Sequence, residues 1–260
     1  MHTLLLTGGS SGIGLATVQF FASKGWQVIE LSRSGQSFDS VVHIHCDITD
    51  DTSVHSAIEQ AMKHTDHIDV VINNAGFGIS GPIEFTSVED AQKQFNVNFF
   101  GAMRLVKAVL PILRKQHYGR ILFTSSVAAD LSIPYQSFYS ASKSALNAMA
   151  LALANEVKPF GIGVSVLMPG DVATGFTSAR EKSIVGADVY PAVLSAVATM
   201  ERDEQAGMPP IQMAKYLYRM ATCRCLKPIY VGGTIYVIFC LLNRLLPKRW
   251  VNAIVGKLYS

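Results

Sequence analysis

Charge is scarce in this chain. Only 16% of its 260 residues are Asp, Glu, Lys or Arg, and the formal net charge is +3. So small a balance gives no electrostatic footprint for nucleic acid. Cysteine is scarce too: Cys46, Cys223, Cys225 and Cys240 form no C-x-x-C pair, and Cys223 and Cys225 have only Arg224 between them. Without His or Cys partners at ligand spacing they read as structural thiols of a reducing, cytoplasmic compartment, with no metal. The opening MHTLLLTGGSSG lacks a charged n-region and a small-residue cleavage site, so it does not read as a secretory signal. The apolar run Pro228 to Leu242 is stopped by Asn243 and Arg244 before the roughly 20 residues needed to cross a bilayer. No Ser/Gly/Pro linker, low-complexity tract or repeat divides the chain.

What is abundant is apolar sequence, at 49% of residues, in a length that suits one large α/β domain or two small ones. Val- and Ile-rich runs (TLLLTGG, QVIELS, VVHIHCD, IDVVINNAG, GRILFTSS, GVSVLMPG) alternate with amphipathic segments such as GLATVQFFASKG and SALNAMALALANEVKPFG. Strands apolar on both faces and separated by helices predict a doubly wound parallel sheet of the Rossmann type, α/β in class, with residues 1–260 as one domain. From 171 to 224 the strand signal disappears. An insertion there lies over the carboxyl edge of the sheet and is expected to cover a substrate, with 228–260 as an apolar strand-and-helix tail.

The first strand runs directly into TGGSSGIG. Gly8, Gly12 and Gly14 allow a tight turn, close approach of backbone N–H groups to a pyrophosphate and close helix packing. The spacing is G-x-x-x-G-x-G, not the common G-x-G-x-x-G. Further on, YSASK sets Tyr139 and Lys143 four apart, about one helical turn, thirteen residues after Ser126. An i, i+4 Tyr/Lys pair in isolation is an ordinary half-buried ring beside a solvated ammonium.

Together and in this order, the glycine spacing, NNAG at Asn73 to Gly76, Asn98 in FNVNFFG, Ser126 and Tyr139-x-x-x-Lys143 resemble the short-chain dehydrogenase/reductase family, over about residues 1 to 175 and more loosely to the end. The stretch from YSASK to DVATGF is similar to its hydroxysteroid and retinol dehydrogenase branch. The resemblance implies a catalytic set of Asn98, Ser126, Tyr139 and Lys143. Tyr139 is then the proton donor or acceptor, which at neutral pH calls for a downward pKa shift that Lys143 and an oxidised nicotinamide would favour. Ser126 would hydrogen-bond the substrate oxygen, and Asn98 would hold a water linking Lys143 to solvent. Ser125 is the competing serine, read as a backbone-capping hydroxyl.

Cofactor contacts implied by the resemblance are Gly8, Ser10, Ser11, Gly12, Ile13 and Gly14 in the loop, Arg33 after the second strand, and Asp47 and Ile48 after the third. Asn74, Ala75 and Gly76 follow the fourth strand, Tyr139 and Lys143 contact the ribose side, and Pro169, Gly170, Val172 and Thr174 hold the carboxamide. Asp50, Asp51 or Thr52 fills the helix N-cap better than Asp47 does. In ELSRSG the position of the ribose-binding acid is Ser32, followed by Arg33, while Glu30 is expected to face along the strand; this favours NADP(H) over NAD(H). Phe176, Ile184, Val185, Tyr190, Val193 and Met208 suggest an apolar pocket for a lipophilic carbonyl or alcohol of steroid, retinoid or keto-lipid type, against Arg180, Lys182 and Arg202. The alternatives are an NAD-dependent alcohol dehydrogenase and a non-catalytic NADP(H)-binding redox sensor. Apolar faces on NFFGAMRLVKAVLPIL and SALNAMALALANEV suit a homodimer or homotetramer. The tail, with Lys248, Arg249, Trp250 and Lys257, is open to three readings: peripheral membrane contact, cavity closure or a subunit contact.

Overall fold

In the computed structural model, which describes residues 1–183 and 185–259, strands and helices alternate as the periodicity predicts. In chain order they are β1 (Thr3–Thr7), α1 (Gly12–Ser23), β2 (Gln27–Ser32), β3 (Val41–His45), α2 (Asp51–Ala61), β4 (Val70–Asn73) and the two-residue β5 (Ile79–Ser80). There follow α3 (Val88–Phe95), α4 (Ala102–Gln116), β6 (Gly119–Thr124), α5 (Ser137–Val157), β7 (Ile162–Pro169), α6 (Phe176–Ala179) and β8 (Glu181–Lys182). The chain closes with α7 (Ala192–Gln205), α8 (Pro210–Thr222), β9 (Ile229–Gly232), α9 (Thr234–Leu245) and α10 (Lys248–Leu258).

Seven strands form one sheet in the order β3-β2-β1-β4-β6-β7-β9, every pairing parallel. Every residue of β1 is buried, which the unbroken TLLLT requires of a strand covered on both sides. One face packs Leu5, Ile29, Val71 and Ile121 under α2, α4 and α5; the other packs Leu4, Leu6, Val28 and Ile72 under α1 and α8. The strand order reverses direction at β1 and β4, so the loops leaving their carboxyl ends diverge and open a crevice.

Asp50 caps α2 by accepting from the Thr52 amide at 2.8 Å, leaving Asp47 available to the loop before it. Between α3 and α4 the helix widens into a π-segment over Asn96–Gly101, a form found mostly as a local bulge at functional positions. The helical run from 88 to 116 is long and apolar enough to cross a membrane by length and composition, yet Leu105, Val106, Val109 and Leu113 are buried in the sheet-facing core.

Two expectations need correction. The segment 171–224 does not lie wholly over the ligand edge: α8 buries Met213, Leu217 and Met220 beside α1 and completes one face of the sheet. Nor is it free of strand, since β8 pairs in parallel with β5. The tail has the expected strand and helix: β9 is a partly buried edge strand, and of the core and interfacial placements open to the helix, α9 takes the outward one, with most of its apolar side chains exposed.

Candidate active site

The crevice is a cavity of about 730 Å³ bounded by the loops after β1, β2, β3, β4, β6 and β7. Its floor is the glycine loop. Gly8 and Gly12 have φ of +71° and +53°, in the left-handed region, and a Cβ on Gly14 would lie 2.0 Å from the Gly8 carbonyl oxygen. The loop is braced from both sides. Asn74 Nδ2 donates to the carbonyls of Thr7 and Gly8 at 3.3 and 3.1 Å, while Thr7 Oγ1 accepts from the amides of Asn74 and Ala75. From the other side Glu30 Oε1 accepts the Gly9 amide at 2.8 Å, and its Oε2 pairs with His43 Nδ1 at 2.6 Å. Glu30 therefore does not face along its strand; it is buried under the loop, a role the sequence reading missed.

At one end of the cavity Asp47 Oδ1 accepts from the Thr49 amide and hydroxyl at 2.9 and 2.7 Å. These two bonds hold the carboxyl below its ordinary range. Arg33 and Ser34 line the same end, and the hydroxyl of buried Ser32 has no hydrogen-bond partner.

At the other end Ser126, Tyr139 and Lys143 meet. The loop after β6 places Ser126, whose Oγ accepts from the Ala128 amide at 3.1 Å, and α5 carries both Tyr139 and Lys143 on its cavity side. Lys143 is buried, with Nζ donating to the Thr124 carbonyl at 2.9 Å and lying 5.8 Å from the Tyr139 ring centre. Burial lowers its amine to about 8. The Tyr139 ring is partly open to the cavity, but its surroundings are crowded, and burial pushes the phenol up to about 12 against a hydrogen bond from Ser126. The lowering expected of Tyr139 is thus not supplied by these side chains alone.

Ser125 donates its hydroxyl to the Lys143 carbonyl at 3.3 Å, tying β6 to α5. Asn98 stands behind the cavity wall. Its Oδ1 accepts from the Phe77 amide and its Nδ2 donates to the Phe77 carbonyl and Ser142 Oγ, all at 3.0 to 3.1 Å. Of the residues expected to be catalytic or to hold the cofactor, Asn98 alone is absent from the lining; the others, from Gly8 to Thr174, face the cavity.

The apolar wall differs from expectation. Phe176 lines it, 5.7 Å from the Tyr139 ring, but Val193 is packed in the core, Val185 is exposed and the Tyr190 hydroxyl is turned to Glu84. Met208 packs against Gly233. Ile184 lies outside the described residues. The wall is built instead with Phe77, Ile133, Ala179 and Met200. Two carboxylates join it: Asp171, raised by burial and held by the Tyr236 hydroxyl, and Glu204, which pairs with buried Arg180 and accepts from Thr177 Oγ1. Tyr259, from the far end of the chain, completes the rim. No local sequence signal links Tyr236 or Tyr259 to this cavity.

A doubly wound parallel sheet with a Ser, Tyr and Lys gathered at the far end of its glycine-floored crevice has the form of an oxidoreductase scaffold. The profile described as short chain dehydrogenase matches residues 2–184, and the chain belongs to that family. It is 37% identical over 264 residues to the 3-ketodihydrosphingosine reductase of Bacteroides thetaiotaomicron, covering 99% of this chain and 97% of the relative. It is 32% identical to dehydrogenase/reductase SDR family member 7B of Danio rerio over 88% of this chain and 77% of that one. The crystal structure of a short-chain dehydrogenase from Streptomyces avermitilis superposes with a TM-score of 0.85 at 27% identity, over 98% of this chain and 95% of that chain.

Proposed function

We propose that this oxidoreductase is an NADP(H)-dependent carbonyl reductase for a long-chain keto-lipid. The observation that carries the reading is the meeting of Ser126, Tyr139 and Lys143 at the opposite end of one cavity from Arg33.

The residues present fit a nicotinamide dinucleotide. Gly8 and Gly12 hold the loop in left-handed conformations, Gly14 packs on the Gly8 carbonyl too closely for any Cβ, and the Ser32 hydroxyl and Thr124 Oγ1 are buried without partners. Ser32 and Arg33 suit a 2′-phosphate, since a hydroxyl and a guanidinium stand where an acid would repel it. Asp47 and Ile48 flank the adenine end, and Pro169, Gly170, Val172 and Thr174 the nicotinamide end. When bound, the reduced nicotinamide supplies the hydride for the carbonyl carbon.

Ser126 donates a hydrogen bond to the carbonyl oxygen, and Tyr139 gives that oxygen its proton as the C–H bond forms. Lys143, its amine poised near neutrality by burial, favours the phenolate that remains. Asn98 acts at one remove by holding Phe77 and Ser142, and with them the wall beside Lys143.

The substrate class is supported by the 37% identity to a 3-ketodihydrosphingosine reductase over nearly the full length of both chains, together with the wall around Tyr139. That name denotes a long alkyl chain with a ketone beside an amine. Phe176, Ala179 and Met200 suit the chain. The Asp171 and Glu204 carboxylates on this wall can accept hydrogen bonds from an amine. The exposed small-residue face of α5, with Ala141, Ser144, Ala148 and Ala152, supports a homo-oligomer.

The test is oxidation of NADPH, with NADH in parallel, against a 3-keto sphingoid base, a steroid ketone and a small polar ketone. Turnover with NADPH and the sphingoid base, reduced about 10²- to 10⁴-fold in Tyr139→Phe, is expected. Preference for NADH, or turnover unchanged in the mutant, overturns the reading.

A further inference from the structure

The hairpin of α9 and α10 turns outward the side chains that helices ordinarily bury. On α9 Ile235, Ile238, Leu241, Leu242 and Leu245 are exposed, Leu245 at 70%, and Tyr236 and Cys240 face the protein. At 100° per residue the five cover a broad contiguous arc of the helix. On α10 Trp250, Ile254 and Leu258, spaced by four, form a second exposed stripe. With 12 and 11 residues, neither helix is long enough to span a bilayer.

The charge that the hairpin itself carries is of one sign, with Asp130 standing beside its protein-facing side at Cys240 and Asn243. From Gln205 to Ser260 the sequence has no Asp or Glu and eight Lys or Arg, of which Arg244, Lys248, Arg249 and Lys257 belong to the hairpin. The rest of the chain, with 19 acids against the remaining 14 Lys and Arg, is net negative. A second copy of the chain is a poor occupant for such a face. An isologous contact sets the patch against itself, bringing like charges together. An anionic lipid surface satisfies both features, taking the apolar arc into its acyl boundary and the basic groups at its headgroups.

The hairpin is also joined to the active site at both ends. Tyr236, in the first turn of α9, donates to Asp171 and lies where a Cβ on Gly170 would meet its ring at 2.1 Å. Tyr259, just beyond α10, lines the cavity.

We propose that α9 and α10 lie flat on an anionic phospholipid surface and that a long-chain ketone reaches the cavity from the bilayer past Tyr259. Docking stands independently of the keto-lipid reading; the access route rests on it.

The experiment is co-sedimentation of the full chain, with NADPH present, on vesicles of phosphatidylcholine alone and of phosphatidylcholine mixed with phosphatidylglycerol. Binding to the mixed vesicles is expected, several-fold weaker when salt is raised from about 0.1 to about 0.5 M, and much weaker on neutral vesicles. Leu241→Asp combined with Trp250→Asp, at exposed positions outside the cavity, should lower that binding about tenfold or more while its melting temperature and its turnover of a water-soluble ketone stay within about twofold of the parent. Equal binding to both vesicle types, no binding, or a solution dimer that the double variant splits each overturns docking. A keto-lipid reduced in detergent but not in anionic vesicles overturns the access route. Reduction in neither medium, with vesicle binding intact, fails the keto-lipid reading and the route that rests on it, and leaves docking supported.

Discussion

Lys143 illustrates how a single residue bears the cost of its position. Its amine is lowered from 10.5 to about 8 because burial penalises the ammonium. Between those two values the unfolded chain binds more protons than the folded one, so stability rises with pH across that window; below about 8 both states are protonated and the slope vanishes. The shift amounts to about 3 kcal/mol at most. From pH 8 to 10 the denaturant midpoint should rise more with pH, or fall less, in the parent than in Lys143→Met; above about 9 the buried thiols of Cys46 and Cys240, raised to about 11, pull the other way in both proteins, and Tyr139 joins them above 10. A parent slope no steeper than the mutant's would show that the ammonium is better solvated than its burial implies. Gly14 is constrained by contact rather than charge. Gly14→Ala drives a methyl into the Gly8 carbonyl, and an overpacking cost of about 1 to 3 kcal/mol should appear as a lower denaturant midpoint together with weakened dinucleotide binding.

Among the elements, the strands were the most legible. β2 spans the same residues, Gln27 to Ser32, that the apolar run QVIELS marks, because a strand buried on both sides leaves an unbroken signature. YSASK was legible because both residues ride one face of α5. Glu30 was not: alternation fixes which side of a strand a residue occupies but not what crosses that side. Its partners are Gly9 in the preceding loop and its cross-strand neighbour His43. The hairpin was illegible for a related reason, since an apolar helix reads alike whether it is buried or exposed. Its tether to Asp171, in the loop after β7, is testable at this scale. Tyr236→Phe leaves the buried Asp171 carboxylate without the hydroxyl that opposes its upward shift. A stability loss of about 1 to 3 kcal/mol in chemical denaturation is expected, with the pH profile of KM for the ketone moving upward.

Across the whole molecule the proposed function gives the cavity two selections, one for the cofactor at the Arg33 end and one for the substrate at the Tyr139 end. Arg33→Ala removes the guanidinium from the adenosine end without touching Tyr139. Fluorescence titration should show NADPH binding weakened about tenfold and NADH binding little changed; equal losses would place the selection elsewhere.

The braced glycine loop has its own consequence. Asn74 holds it from the switch-point neighbour and Glu30 from the opposite side, so its peptide groups are fixed before any ligand arrives. A receptor already in its bound shape loses little conformational entropy on association, and binding free energy is not diluted by ordering the protein. The phosphates of a dinucleotide bound as proposed would meet a finished mould, and their residence would depend on the strength of the contacts made there rather than on folding of the loop around them.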